Sequence, residues 1–278
     1  MPAFVAPDGR RLDYADDGQG PAILCLAGLS RNLRDFAHIP AQLPGHRVIR
    51  LSSRGRGGSD HAVDPMAEYQ VPVELGDAIA LLDHLGLSGV GVLGTSRGGI
   101  LGMAMAAARP DLIGALALND VGAAVQVAGL LRIAGYVGVA PEAETFAEAA
   151  RIMRAAHADD FPGVSLARWE DHARAVFDEG PDGAPILSYD PALAEATLGA
   201  LDPGVPQIDL SPLFAACMGI SVLTIRGARS DILSAETLAA MAAQHPDFTA
   251  LTVADRGHAP FLDEPESAEA LSAHFERL

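Results

Sequence analysis

The chain has 278 residues, 49% hydrophobic and 20% charged, which is enough apolar content for the core of one large α/β domain carrying an insertion and excludes a disordered chain. A formal net charge of -17 repels phosphate backbones and anionic headgroups alike, so neither nucleic acid nor a membrane surface is an expected partner. The two cysteines, Cys25 in "AILCLAG" and Cys217 in "FAACMGI", lie among small apolar neighbours and read as buried thiols, not as a disulfide framework.

In chain order, residues 1–20 carry no basic segment followed by an apolar core, so a cytoplasmic location is expected. "AFVA" and "RRLDYAD" flank the turn "PDGR" and predict an antiparallel hairpin at a sheet edge. Apolar runs at 22–28, 47–52, 89–95, 113–120, 221–227 and 248–255 predict strands rich in Val, Ile and Leu. Helix-like spacing separates most of them, as in "PVELGDAIALLDHLGL" at 72–87 and "SAEALSAHFERL" at the end. Alternation of this kind predicts a mostly parallel twisted sheet with helices on both faces.

The alternation stops between 121 and 212, where two helix-like stretches, 143–158 and 165–180, appear without strand-like runs. The expected organisation is therefore a core of 1–120 and 213–278, with 121–212 as a helical cap inserted before the last two strands. "VGAAVQVAGLLRIAGYVGVA" at 121–140 is almost long enough to span a bilayer, but Gln126, Arg132 and its glycines make a lid over an apolar pocket the better reading. Leu130, Ile133 and Tyr136 are candidate pocket residues.

One motif carries chemistry. In "VGVLGTSRGGILGMAMA" at 90–106, a strand ending at Thr95 runs into a helix beginning at Ser96 or Arg97, and Gly94 and Gly98 let the two backbones pass. The tight turn lifts the Ser96 hydroxyl above the strand ends, and the helix N-terminus offers the Arg97 N–H to an oxyanion. A serine that only caps the helix is the bland alternative. Serine needs a base, and of nine histidines His258 is the candidate, because "LTVADRGHAPFLDEPE" places it just after the last strand. His46, His61, His84, His245 and His274 read as loop or helix-end residues. The carboxylate orienting His258 is expected to be Asp231 in "RGARSD", which gives the chain order Ser, Asp, His. Asp120 in "LALNDVG" also ends a strand and is the competing acid. The turn "SSRGRGGSD" has a rival reading as a phosphate cradle, but it lacks the Lys and Ser/Thr pairing of a nucleotide loop. No His-Glu-x-x-His or paired-cysteine pattern suggests a metal, and no cofactor is expected.

With "LCLAGLSRNLRDF", "SSRGRGGSD", "GTSRGG", "RGARSD" and "DRGHAPFLDEPE" together, the chain resembles the α/β-hydrolase-fold family over nearly its whole length. The resemblance implies that the backbone N–H groups of Leu29 and Arg97 form the oxyanion hole. The strand order it implies places the Asp231 loop beside the His258 loop and leaves Asp120 to anchor the cap hinge. Two positions depart from the pattern: Ala27 stands where many members carry a histidine, and Ser52 where the turn often begins with aspartate. A serine nucleophile sets the chain apart from branches that use aspartate there. The expected activity is hydrolysis of a carboxylic ester or lactone with a small or medium apolar acyl group. Carbon-carbon bond hydrolysis, cofactor-free perhydrolysis and a ligand receptor with little turnover are the alternatives, and the oligomeric state is left open.

Overall fold

The computed structural model describes residues 2–199 and 201–278. Strand β1 (Ala3–Val5) pairs antiparallel with β2 (Arg11–Gly18), and Gly9, at φ 90°, supplies the left-handed residue of their turn. There follow β3 (Ala22–Leu26), α1 (Ile39–Gln42), β4 (Arg47–Leu51), α2 (Pro65–Glu68) and α3 (Val71–Leu85). The nucleophile motif lies between β5 (Val90–Thr95) and α4 (Arg97–Ala108), and β6 (Ile113–Asn119) closes the first half.

The insertion contains β7 (Ala124–Gln126), α5 (Val127–Ala134), α6 (Phe146–Ala156), α7 (Leu166–Val176), β8 (Phe177–Glu179), β9 (Pro185–Leu187), α8 (Leu193–Leu198) and β10 (Gln207–Asp209). The chain returns to the core through α9 (Ser211–Ala215), β11 (Ser221–Gly227), α10 (Ala235–Gln244), β12 (Phe248–Val253) and α11 (Pro265–Phe275).

Eight strands form one sheet in the order β1-β2-β4-β3-β5-β6-β11-β12. From β4 to β12 every neighbouring pair is parallel, and β2 joins β4 antiparallel. Alternate residues of each strand enter opposite cores. Leu24, Leu26, Val90 and Val92 pack with Leu81 and Leu82 of α3 and Leu101 of α4, while Ile23, Cys25 and Leu93 pack with Ile39, Leu271 and Phe275 on the other face. Both faces being covered explains the near-continuous apolar runs in the sequence. Helix α3 has Pro72 in its first turn and stops at Gly86, whose φ of 66° is an αL cap.

The expectation of an insertion without strands is corrected. Strand β7 pairs antiparallel with β10, and β8 with β9, each strand being three residues long and so too short for a period-2 signal. The helical reading of 165–180 therefore overran α7, whose last part becomes β8. Helices α6 and α7 begin where their caps dictate: the Thr145 and Ser165 side chains accept from the Glu148 and Arg168 N–H groups. Only eight residues of 121–140 are helical in α5, and no helix of the described residues is long and apolar enough to cross a membrane.

Candidate active site

Ser96 occupies the elbow between β5 and α4 with φ 51° and ψ -116°, a strained backbone for a residue with a Cβ and one that costs about 1–3 kcal/mol. The strain requires glycines around it. A Cβ at Gly98 would run into the Leu26 carbonyl oxygen, and one at Gly94 into the Gly98 backbone, so strand and helix approach too closely for any side chain. The bonds from Ser96 N–H to the Asn119 carbonyl, 2.9 Å, and from Asn119 Nδ2 to Thr95 Oγ1, 3.1 Å, tie the elbow to the end of β6.

His258 bridges two elements. Its Nε2 lies 3.0 Å from Ser96 Oγ and its Nδ1 lies 2.6 Å from Asp120 Oδ2. The expectation that Asp231 orients His258 is thus corrected. The strand order is the expected one, but side-chain direction decides the partner. Asp120 has φ 55° at the end of β6, which turns its fully buried carboxylate under the histidine. Its Oδ1 accepts the Gly227 N–H at 2.8 Å and its Oδ2 also accepts the Ser230 hydroxyl at 2.5 Å. The loop after β11 therefore contributes a hydroxyl and an amide to the acid, not an acid of its own. Asp120 does accept a backbone bond, as a hinge anchor would, but from the end of β11. Asp231 turns outward to a two-point ion pair with Arg132 of α5, at 2.6 and 2.8 Å. Burial would raise the Asp231 pKa, and the Arg132 guanidinium more than offsets this and holds it low.

The histidine loop is held by residues that the sequence reading passed over. Asn119 Nδ2 donates to the Pro260 carbonyl at 3.0 Å. The buried Glu264 accepts from the Phe261 and Leu262 amides at 3.1 and 2.9 Å and from Arg256 at 2.8 Å. Phe261 then packs among Phe161, Trp169 and His172 of the insertion, with ring centroids 5.0 to 5.7 Å apart. Glu264, two positions after the Phe261–Leu262 pair, was the available signal.

Leu29 follows Gly28, where a Cβ would lie 3.9 Å from the Ser96 Cβ, and Arg97 follows Ser96 as the first residue of α4; neither backbone N–H has an acceptor among the described residues. The turn 52–60 offers no anion cradle: Arg54 is spent on Asp77 at 2.7 Å and Arg56 on Glu74 at 2.6 Å, both arginines about 1% exposed. Ser52, where the resembled turn often has aspartate, is buried and its hydroxyl accepts the Leu33 N–H at 3.3 Å.

Among the candidate pocket residues, Ile133 belongs to the main core, Leu130 packs half-buried against it, and Tyr136 is 45% exposed. The seam between insertion and core is more polar than the sequence suggested. Arg31, whose stem shares the space beside Gly28 with Ser96, makes a two-point pair with Asp35 and contacts the His172 ring at 3.1 Å. Arg31, Arg132 and Asp231 all lie near enough to Tyr136 to act on its phenol. Burial holds His172 well below the ordinary histidine range, with the Arg31 charge adding to the effect.

A sheet of this order with serine, histidine and carboxylate at its carboxyl edge defines a hydrolase of the α/β class. The sequence model of the alpha/beta hydrolase fold matches residues 21–265, and the chain belongs to that family. The chain is 33% identical over 261 residues to the 3-hydroxybutyrate-oligomer hydrolase of Cupriavidus necator, covering 91% of this chain and 87% of that protein. It is 24% identical over 260 residues to 3-oxoadipate enol-lactonase 2 of Acinetobacter baylyi, covering 92% and 89%. Among solved structures it is similar to an α/β hydrolase from Novosphingobium aromaticivorans, with a TM-score of 0.92 and 41% identity over 100% of this chain and 98% of that one.

Proposed function

We propose that the protein hydrolyses carboxylic esters or lactones through an acyl-enzyme on Ser96. The observation that carries this reading is the single imidazole of His258 placed 3.0 Å from Ser96 Oγ and 2.6 Å from Asp120 Oδ2. Ser96 Oγ attacks the carbonyl carbon while His258 Nε2 takes its proton. The carbonyl oxygen becomes an oxyanion and is held by the Leu29 and Arg97 N–H groups. As the C–O bond breaks, His258 returns the proton to the leaving alcohol. Water then attacks the acyl-enzyme with His258 as base again, releasing the acid and restoring Ser96. Asp120 accepts from Nδ1–H throughout, which fixes the tautomer and stabilises the imidazolium.

The segment 121–212 is the cap that shapes the substrate pocket. Arg31 and Arg132, each paired with a carboxylate, and Tyr136 make the seam polar, which favours a substrate with a polar end over the plain apolar acyl group expected from composition. The relatives named for a hydroxybutyrate oligomer and an enol-lactone support an ester of a small hydroxy acid. The test is hydrolysis of 3-hydroxybutyrate dimer and trimer, a lactone series and p-nitrophenyl esters by the parent and by Ser96→Ala, with labelling by a fluorophosphonate. The expected result is loss of activity by several orders of magnitude and a single adduct on Ser96. Ser96→Ala activity within about tenfold of the parent would overturn the reading.

A further inference from the structure

Glu74 lies on α3, outside the triad, and is about 1% exposed. Each of its carboxylate oxygens accepts from a different arginine. Oε1 takes Arg56 Nη1 at 2.6 Å and Oε2 takes Arg97 Nε at 2.7 Å. Arg56 in turn donates from Nε to the Leu29 carbonyl at 2.7 Å and from Nη1 to the Arg54 carbonyl at 2.7 Å. Arg97 also donates from Nη2 to the Tyr69 carbonyl at 2.9 Å.

The two residues reached in this way are Leu29 and Arg97, which follow Gly28 and Ser96 in the chain and whose backbone N–H groups have no acceptor among the described residues. We propose that Glu74 is a positioning residue that sets both oxyanion donors at once, the Leu29 amide through Arg56 and the Arg97 amide through the Arg97 side chain. This inference rests on the reading of those two amides as the oxyanion hole. Anchoring the Leu29 carbonyl fixes the rotation of that residue and hence the direction of its own N–H. Anchoring the Arg97 side chain holds the first turn of α4, whose N–H follows the strained Ser96. A hole built from one loop and one helix needs a common reference, because a donor misplaced by a fraction of an ångström loses much of its effect on the transition state.

Charge acts in the same direction. Two guanidiniums around one carboxylate leave a single net positive charge behind the donors, in a buried setting where it is weakly screened. Burial alone would raise the Glu74 pKa, but the charges of Arg56 and then Arg97 hold it below the usual range, so the bridge is ionised. Without that carboxylate the two buried guanidiniums repel, and both donors move.

A glutamate that only neutralises two buried arginines would cost stability when replaced but would not discriminate the transition state from the substrate. The experiment compares Glu74→Gln and Glu74→Asp with the parent on a p-nitrophenyl ester, and measures inhibition by a trifluoromethyl ketone, which captures Ser96 as a hemiketal oxyanion. For Glu74→Gln, kcat is expected to fall about 10- to 100-fold with KM within about threefold, and the ketone Ki to rise by the same factor as kcat falls. Glu74→Asp, which keeps the charge on a shorter arm, should recover part of the loss. An unchanged Ki, or a loss carried by KM, would overturn the proposal.

If the Glu74 variants do not fold, Arg97→Met cuts the same bridge at its less buried end and retains the backbone N–H. It is then expected to show the same parallel change in kcat and Ki, and an unchanged Ki there overturns the proposal equally. A parent that the ketone fails to inhibit, together with an active Ser96→Ala, would instead remove the serine-hydrolase reading itself.

Discussion

Asp120 accepts three hydrogen bonds with no exposure to solvent, from His258, Ser230 and Gly227. Asp120→Asn replaces one acceptor oxygen by a donor and favours the wrong histidine tautomer. The expected outcome is a drop in kcat of about 10³ to 10⁴ with the fold retained, read by steady-state kinetics and circular dichroism. Asp231→Asn removes one charge from a pair whose partners are both about a third exposed, and its effect on kcat should stay within about tenfold. The reverse ranking would return the role to Asp231. The serine and histidine were legible because glycine spacing and a loop after the last strand mark them in one dimension. The acid was not, because two aspartates end neighbouring strands. Only the αL turn at Asp120 and the Arg132 partner of Asp231 decide which carboxylate faces the ring.

The elements that carry the site differ in how much change they tolerate, and glycines on α3 and α4 show the contrast. Gly76 on α3 is exposed, and a Cβ there meets nothing within 4 Å, so Gly76→Ala gains helix propensity without a clash. It should stabilise the protein by about 0.5–1 kcal/mol, seen as a raised Tm with unchanged kcat. Gly98→Ala on α4 must push the helix away from the Leu26 carbonyl. It should cost about 1–3 kcal/mol or more and also lower kcat, since the Ser96 elbow shifts with it. A Gly98→Ala protein with parental Tm and kcat would show that the elbow is looser than its geometry. The predicted helix on α3 and the elbow were readable from apolar spacing and the Gly-x-Ser-x-Gly pattern. The short strands β7 to β10 were not, because three residues held by partners distant in sequence leave no local period.

Across the whole molecule, several histidines are buried in their neutral form. Burial lowers His274 to about 4, and it also lowers His38, His157 and His172 from the ordinary value of 6.5. The unfolded chain takes up protons below pH 6.5 while the folded His274 waits until about 4, so stability is complete above 6.5 and declines as pH falls through that window. His274 alone accounts for on the order of 3 kcal/mol of this decline. Tm measured from pH 7 to pH 4 should fall steadily, and His274→Gln should flatten part of the slope. Glu74 acts in a lower window. Its depressed pKa contributes stability that is complete above the ordinary glutamate value of 4.5 and is lost as pH falls through its folded value. A Tm constant down to pH 4 would contradict the neutral burial of these histidines.

By itself the sequence determined the parallel sheet, the break in its alternation after β6, the serine at the strand-to-helix elbow and the histidine in the loop after the last strand. These depend on periodicity and on glycines whose need is local to a turn. Only the tertiary structure decided that Asp120 and not Asp231 faces the histidine, that the basic turn is spent on Asp77 and Glu74, and that the seam carries Arg31 and Arg132. Those outcomes depend on side-chain direction and on ion pairs between residues 18 to 138 positions apart, with the short Arg31–Asp35 pair the one local exception. A one-dimensional pattern holds no record of which of several compatible charges meets which.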